Sequence, residues 1–197
     1  MVHRNSMVGT GQLPKFEEDA YKVMGTDYFL IPTAEVPVTN IYAGEILNES
    51  DLPKYMTAYT PCFRREAGSA GKDTRGLIRV HQFNKVEMVQ YTKPEDSPKA
   101  FDELVNKACK LVEGLGLHYR VSKLAAADCS HAMARTCDIE IWIPSMNDYK
   151  EVSSVSNAHD YQARRNNTRF RNKETGKLEY VHTLNGSGLA TSRIFPA

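Results

Sequence analysis

The sequence lacks several features that mark specialised classes of protein. It has no internal repeat, no low-complexity tract and no pair of cysteines in a C-x-x-C arrangement, so repeat architectures and the common zinc modules are not indicated. Its apolar runs, such as Tyr28 to Ile31, fall far short of the roughly 20 residues that cross a bilayer. No apolar signal segment follows Met1. We therefore expect a cytoplasmic protein with no membrane partner.

A strong net charge is also missing. The 197 residues include 25 Lys and Arg against 24 Asp and Glu, for a formal charge of +1, so composition gives no bulk attraction to nucleic acid or anionic lipid. Any binding of an anion has to be local. A chain of this length buries roughly 70% of its unfolded surface and needs no disulfide or structural metal for stability. No change in composition marks a domain boundary, so residues 1–197 are expected to form one unit.

The four cysteines are expected to be reduced thiols, because no secretory signal accompanies them. Cys129, His131 and Cys137 could be three zinc ligands, but their spacing matches no common structural zinc site and no obvious fourth ligand is near. Buried or incidental thiols are the better interpretation.

Periodicity and turn signals predict an α+β protein with a largely antiparallel sheet. Apolar residues spaced by three and four predict a packing helix from Pro94 to about Leu115, and a short helix is predicted over 14–23. Two β-rich runs, 55–66 and 80–92, flank a polar loop and predict an antiparallel hairpin. Further strands are predicted over 119–124, 136–143, 149–155, 168–171 and 178–184.

The hairpin is the first segment that suggests a binding site. Gly71 and Lys72 do not fit a phosphate-binding loop, since Glu66 and Asp73 occupy positions that need Gly and Ser or Thr. Strand alternation instead places Cys62, Arg64 and Glu66 on one face of the first strand, and Phe83 and Glu87 on one face of the second. Such a face suits an extended ligand with a ring, a phosphate and an amine. The alternative is an ordinary sheet face with a core Phe and a surface Glu.

Five segments together resemble a known family. Residues 60–87 read TPCFRREAGSAGKDTRGLIRVHQFNKVE and closely resemble motif 2 of seryl-tRNA synthetases. Four further segments agree with that family in the same order: GTGQLPKF at 9–16, IPTAEVP at 31–37, EVSS at 151–154 with Asn157, and HTLNGSGLA at 182–190 leading to Arg193. The resemblance covers nearly the whole chain. It implies a class II aminoacyl-tRNA synthetase fold, an antiparallel sheet flanked by helices. Motif 2 and most of motif 3 are present, but the amino-terminal tRNA-binding arm and motif 1 are expected to be absent, so the domain would be incomplete at both ends.

The resemblance also implies an activity. Members of the family are serine–tRNA ligases, which activate L-serine with ATP and Mg²⁺ to seryl-adenylate and transfer the seryl group to tRNA(Ser). They usually act as homodimers. Two alternatives stay open: a truncated homologue that loads serine onto an acceptor other than tRNA, and a non-catalytic module that binds a ligand or partner protein.

Residue roles follow from the matching positions. The resemblance implies that Arg64 contacts the α-phosphate and Arg193 the γ-phosphate as the catalytic pair. The implied ATP-binding residues are Arg64, Arg65, Glu66, Phe83, Glu151, Val152, Ser153, Ser154 and Arg193. Glu66 would contact the adenine amino edge, Phe83 would stack on adenine, and Glu151 and Ser154 would hold Mg²⁺. The implied serine-binding residues are Thr33, Ala34, Glu35, Glu87, Thr183, Asn185 and Ser187.

Two questions remain from the sequence. In a regular strand Glu151 and Ser154 face opposite sides, so sharing a site requires a bulge or a contact through the backbone. The basic run of Arg164, Arg165, Arg169, Arg171 and Lys173 could contact RNA or form a solvated, salt-bridged face.

Overall fold

The computed structural model describes residues 1–67 and 76–197. The strands are β1 (Val2–His3), β2 (Tyr28–Phe29), β3 (Ile46–Asn48), β4 (Lys54–Phe63), β5 (Gln82–Thr92), β6 (Tyr119–Lys123), β7 (Arg135–Ile143), β8 (Asp148–Asn157), β9 (Arg169–Arg171), β10 (Leu178–Tyr180) and β11 (His182–Ala190). The helices are α1 (Arg4–Gly9), α2 (Glu35–Thr39), α3 (Ser97–Gly114), α4 (Tyr161–Asn166) and α5 (Thr191–Ile194). The predicted α+β class is confirmed.

A six-stranded antiparallel sheet in the order β4-β5-β11-β8-β7-β6 organises the molecule. The predicted hairpin is its first pair, in which Cys62 lies opposite Phe83. Because directly opposed residues share a face, the register extends that face across the sheet: Glu87 lies opposite Ser187, and Asn185 opposite Ser156.

The packing helix α3 covers the other face. Its buried side chains, including Leu104 and Val112, contact Ile139 and Ile141 of β7 and Leu184 of β11 in the largest apolar cluster. Alternation along β7 therefore puts its odd-numbered apolar residues in this core and its even-numbered polar residues on the opposite face. One face of the sheet is left available for a ligand.

A second apolar cluster lies at the amino end of the chain. Met7, Leu13, Phe29, Ile31 and Val36 pack together, and this cluster anchors the segment that enters α2. The short sheet β10-β9-β3 lies apart from the large sheet, with β3 and β9 parallel.

Some predictions at the amino end are wrong. The segment 14–23 contains turns instead of a helix, because its backbone N–H groups, such as those of Glu17 and Asp19, donate to carbonyls three residues back. Asp19 in turn accepts from the backbone of Arg65 and Ala67, which ties the segment to the end of β4. The small elements α1, β3 and α4 were not predicted.

All four cysteines are free thiols. Among residues 1–67 and 76–197, no helix is long and apolar enough to cross a membrane. The positions of Gly71 and Lys72 lie outside the described residues.

Candidate active site

A cavity of about 640 Å³ opens on the sheet face opposite α3. Twelve of the sequence-predicted residues line it: Thr33, Glu35, Arg64, Glu66, Phe83, Glu87, Glu151, Val152, Ser154, Asn185, Ser187 and Arg193. They come from segments up to 160 positions apart in the chain, such as Thr33 and Arg193. The grouping predicted from the hairpin face is therefore present.

Four of the predicted residues do not line the cavity. Arg65 is exposed and holds Asp19 through its backbone N–H, while Ala34 is buried at the start of α2. The Ser153 hydroxyl donates to the Ser187 carbonyl oxygen at 2.7 Å on the far side of β8. The Thr183 hydroxyl donates to the side chain of Gln162 at 2.6 Å. These positions suit supporting contacts, not direct contacts with a ligand in the cavity.

One end of the cavity is a buried charged cluster, here called the carboxylate pocket: Thr33, Glu35, Lys85 and Glu87. Lys85 Nζ lies 2.5 Å from Glu87 Oε2 and 2.8 Å from the Thr33 hydroxyl. All four residues are at least nine-tenths buried, so these charges interact in a medium of low effective dielectric. With both carboxyl groups ionised, the pocket carries one net negative charge.

Glu35 has no ion-pair partner within 4 Å among the described residues; a neutral amide, Gln162 Nε2, donates to it at 2.7 Å. Burial raises the pKa of Glu35 to about 7, and the nearby Glu87 carboxylate adds to the rise, while Gln162, Lys85 and Arg64 oppose it. A buried carboxyl group poised near neutral pH is unusual and points to a functional site.

Strand β11 contributes the wall beside the carboxylate pocket. Ser187 lies directly opposite Glu87, and Asn185 is two residues away on the same face. Asn185 is 7% exposed, and its amide nitrogen has no hydrogen-bond partner among the described residues although it lines the cavity. An unpaired buried donor is costly, so it marks a place where a ligand can accept a hydrogen bond.

An aromatic and arginine cluster forms the middle of the cavity. The guanidinium carbon of Arg64 lies 5.2 Å from the centre of the Phe83 ring, and Arg64 Nε donates to the Pro32 carbonyl oxygen at 3.2 Å. Close by, Glu66 accepts from Arg79 at 3.0 Å. A flat ring surface beside guanidinium groups is suited to a base and its phosphates.

The far end of the cavity depends on an irregularity in β8. Ser153 pairs with Ile139, but Glu151 pairs with the adjacent Glu140, so Val152 has no partner in β7. This bulge brings Glu151 and Ser154 to the same face, as required for them to share a site.

Around the bulge, hydrogen bonds fix the positions of the charged side chains. Arg193 donates from Nη1 to the Glu151 carbonyl oxygen at 2.8 Å and from Nε to the Ile78 carbonyl oxygen at 3.0 Å. Burial lowers the pKa of Arg193. The Ser154 hydroxyl donates to Asp138 at 2.6 Å, and burial raises the pKa of Asp138 to about 6. Arg193 is fixed by backbone carbonyls with its charge facing the cavity.

Three residues of the site were missed from the sequence. Lys85 could have been found, because it lies two positions before Glu87 and therefore on the same strand face. Asp138 could have been found by the same alternation along β7. Gln162 gave no signal: it lies on a six-residue helix and reaches the pocket only through the tertiary fold.

The basic run is largely occupied by contacts within the protein. Arg164 pairs with Asp160 at 3.0 Å, Arg165 donates to the Val8 carbonyl oxygen, and Arg171 donates to that of Gly176. These contacts favour the salt-bridged face among the two interpretations.

Comparison with known proteins gives matches over nearly the whole chain. The family model for the tRNA synthetase class II core domain (G, H, P, S and T) matches residues 16–197. A curated relative named Serine–tRNA ligase 2, from Clostridium acetobutylicum, is 63% identical over 192 residues, which are 95% of this chain and 45% of the relative. Serine–tRNA ligase from Brevibacillus brevis is 59% identical over 197 residues, 100% of this chain and 46% of that protein. The chain thus spans less than half the length of these relatives.

A solved structure agrees with the sequence matches. Seryl-tRNA synthetase from Pyrococcus horikoshii, in complex with ATP, superposes with a TM-score of 0.95 at 44% identity, covering 100% of this chain and 44% of that one. The resemblance to seryl-tRNA synthetases and the antiparallel class II fold expected from it are confirmed.

Proposed function

This chain belongs to the family of class II tRNA synthetase core domains, and from that premise we propose that it activates L-serine with ATP as the catalytic core of a serine–tRNA ligase. The observation that carries the proposal is the carboxylate pocket. Its net negative charge matches one substrate ammonium group, and it adjoins a wall of small hydroxyl and amide side chains. A small amino acid with a hydroxyl group is the ligand that uses all of these features.

Serine is recognised by its two polar ends. The ammonium group neutralises the charge of the pocket, while Thr33, Ser187 and the carboxylates Glu35 and Glu87 provide partners for the hydroxyl group. Alanine would leave these buried groups unpaired, which allows strong discrimination. Threonine adds a methyl group that has to fit within the same wall.

ATP extends from the carboxylate pocket along the remainder of the cavity. Phe83 offers its ring to adenine, and Glu66 lies where it can accept from the adenine amino group. The ATP complex of the similar Pyrococcus protein supports binding of a nucleotide, and the cluster of Arg64, Arg79 and Arg193 supports this orientation.

The reaction is an in-line displacement. A serine carboxylate oxygen attacks the α-phosphorus of ATP, a new P–O bond forms to the carboxylate, and the bond to pyrophosphate breaks. The protein's contribution is to align the two substrates and to stabilise the negative charge that accumulates on the phosphates. Arg64 and Arg193 do this without a proton equilibrium, because guanidinium stays charged.

The residues present fit Mg²⁺ bound together with ATP. Among residues 1–67 and 76–197, no cluster of three or more His, Cys, Asp or Glu forms a site for a metal on its own. Glu151 and Ser154 offer two hard oxygen atoms on one face, and Mg²⁺ commonly takes one or two protein oxygens and completes its shell with phosphates and water. When bound, the ion would neutralise phosphate charge.

The second step, transfer of the seryl group to tRNA(Ser), belongs to the same proposal, as does assembly into a homodimer. Both rest on the family resemblance and not on a described surface of this chain.

Serine-dependent exchange between ATP and pyrophosphate tests the first step directly. With Mg²⁺ present, we expect exchange with L-serine and at least about 100-fold less with alanine, glycine or threonine, since each of these loses or crowds buried hydrogen bonds. Absence of exchange from protein that shows a cooperative thermal unfolding transition would contradict the proposal. Equal exchange with alanine would contradict the assignment of the pocket.

A further inference from the structure

Gln162 joins three distant parts of the chain beneath the carboxylate pocket. Its side chain is fully buried, and Nε2 donates to Glu35 at 2.7 Å and to the Thr10 carbonyl oxygen at 3.3 Å. Its Oε1 accepts from the Thr183 hydroxyl at 2.6 Å. A carbonyl oxygen can only accept, so the nitrogen must face Thr10, and Thr183 must donate. The amide therefore has one orientation, with an N–H directed at Glu35.

That N–H acts on the group that sets the charge of the pocket. Lys85 and Glu87 of β5 offset each other, so the pocket is negative when Glu35 is ionised and neutral when it is protonated. The charged groups that face Glu35 are Glu87 and Lys85 from β5 and Arg64 from the end of β4; α4 contributes only the neutral Gln162. A hydrogen bond donated to a carboxylate favours its ionised form.

We propose that Gln162 is a positioning residue for the amino-acid pocket: oriented by Thr183, its amide keeps the Glu35 carboxylate ionised and fixed where it attracts the substrate ammonium group. This inference rests on the proposed function, since serine supplies the ammonium. It also gives Thr183 a role through Gln162 in place of contact with serine.

A purely structural role for Gln162 predicts something different. Loss of its bond to Thr10 would weaken packing between α1 and α4 and lower activity at every pH to the same extent. Loss of the donor to Glu35 instead raises the pKa of a carboxyl group that already titrates near 7. The defect then depends on pH, and this dependence separates the two roles.

The test is kcat/KM for serine in the exchange reaction between pH 6 and 8.5, a quantity that reports ionisations of the free enzyme. Wild type should rise with a midpoint near 7, following Glu35. For Gln162→Met we expect the midpoint to move up by about one pH unit, with kcat/KM roughly fivefold lower at pH 7 and recovered to within about twofold at pH 8.5. The KM for ATP should stay within about twofold.

Two further variants complete the design. Thr183→Val keeps the Gln162 amide but removes the hydroxyl that orients it, so the same shift should appear at about half the size. Thr183→Val therefore tests the proposal even if Gln162→Met does not fold. Thr168→Val is the matched control, because Thr168 is also buried and its hydroxyl also donates hydrogen bonds within the protein, to Tyr42 and Asn166, but outside the cavity.

Binding of a non-hydrolysable seryl sulfamoyl adenosine, measured by calorimetry over the same pH range, gives a readout without turnover. A midpoint that is the same in wild type and both pocket variants would overturn the inference while leaving the proposed function standing. A wild-type chain that neither binds the analogue nor catalyses exchange with serine would overturn both.

Discussion

Glu151 and Ser154 share the cavity wall because Val152, between them, has no partner in β7. In a regular strand, residues separated by three positions face opposite sides of the sheet. The extra residue in β8 reverses the alternation of side chains once, so that the side-chain oxygen atoms of Glu151 and Ser154 lie on the same face of the strand. Neighbouring serines consequently have different surroundings: Ser154 faces the cavity, whereas Ser153 is buried against the backbone of Ser187.

The two serines should therefore respond differently to substitution. We expect Ser154→Ala to weaken binding of ATP with Mg²⁺ by roughly tenfold, because it removes a ligand-facing oxygen. Ser153→Ala should instead lower the free energy of unfolding by about 1 to 2 kcal/mol, because the buried Ser187 carbonyl loses its donor. Nucleotide titration and urea denaturation of both variants measure the contrast. Equal effects on ATP affinity would show that the bulge does not sort the side chains as described.

Arg64 gives the clearest prediction about catalysis. Arg64→Ala should reduce serine-dependent exchange by at least about 100-fold, because a positive charge aimed at the reacting phosphate is lost. Its thermal unfolding temperature should change little, since among the described residues the Arg64 side chain makes one hydrogen bond, to Pro32. Arg171→Ala is the matched control: that arginine is exposed, and within the described part of the chain its side chain bonds only to the Gly176 carbonyl oxygen. An unchanged exchange rate in Arg64→Ala would remove Arg64 from the reacting centre.

The net charge of the carboxylate pocket can be tested by a double-mutant cycle. In Glu87→Gln the positive charge of Lys85 and the negative charge of Glu35 cancel, so the pocket becomes neutral. The KM for serine should therefore rise by about 100-fold while the KM for ATP stays within about threefold. Adding Lys85→Met restores one net negative charge. The double variant should therefore recover at least about fivefold of the lost serine affinity.

Steady-state exchange kinetics of the two single variants and the double variant complete this cycle. Failure of the double variant to improve on Glu87→Gln would mean that Glu87 acts through its own hydrogen bonds and not through the charge of the pocket. A larger loss of ATP affinity than of serine affinity in Glu87→Gln would place Glu87 outside the amino-acid pocket.

The parts of the site that were predictable from sequence follow simple periodicity. Strand alternation predicted one face of the first strand that carries Cys62 and Arg64, and one face of the second that carries Phe83. The register between β4 and β5 pairs Cys62 with Phe83 and so joins these faces. The spacing of apolar residues likewise predicted α3. In both cases a local repeat along one element decides which way the side chains point, and tertiary packing agrees with it.

What escaped prediction depends on contacts between distant segments. The apolar residues of 14–23 have helix-like spacing. However, Leu13 and Ala20 pack into the amino-terminal cluster and Asp19 is bonded to the end of β4, so the segment forms turns. Gln162 and Thr10 are 152 positions apart and meet only in the folded chain. The raised pKa of Glu35 likewise arises from burial and from Glu87, which local sequence does not encode.

The pKa of Glu35 has a consequence for stability. A carboxyl group in an unfolded chain titrates near 4.3, whereas burial and Glu87 raise the pKa of Glu35 to about 7 in the folded protein. Between these values the folded state binds more protons than the unfolded state. The contribution of Glu35 to the free energy of unfolding therefore falls as pH rises through this window, and the folded protein is most favoured by this group below it.

Glu35→Gln removes the titration while keeping an oxygen that accepts from Gln162. Relative to wild type, the variant should gain about 3 kcal/mol in free energy of unfolding between pH 4.5 and pH 8, because about 2.5 pKa units are lost at about 1.4 kcal/mol each. Urea denaturation at intervals across this range measures the difference in free energy of unfolding. Asp138 titrates in both proteins, so its contribution cancels from this difference. Glu103→Gln, at an exposed position of α3, is the control and should show no such trend. If the difference between wild type and Glu35→Gln were constant with pH, Glu35 would be ionised throughout the range, and burial would not raise its pKa as described.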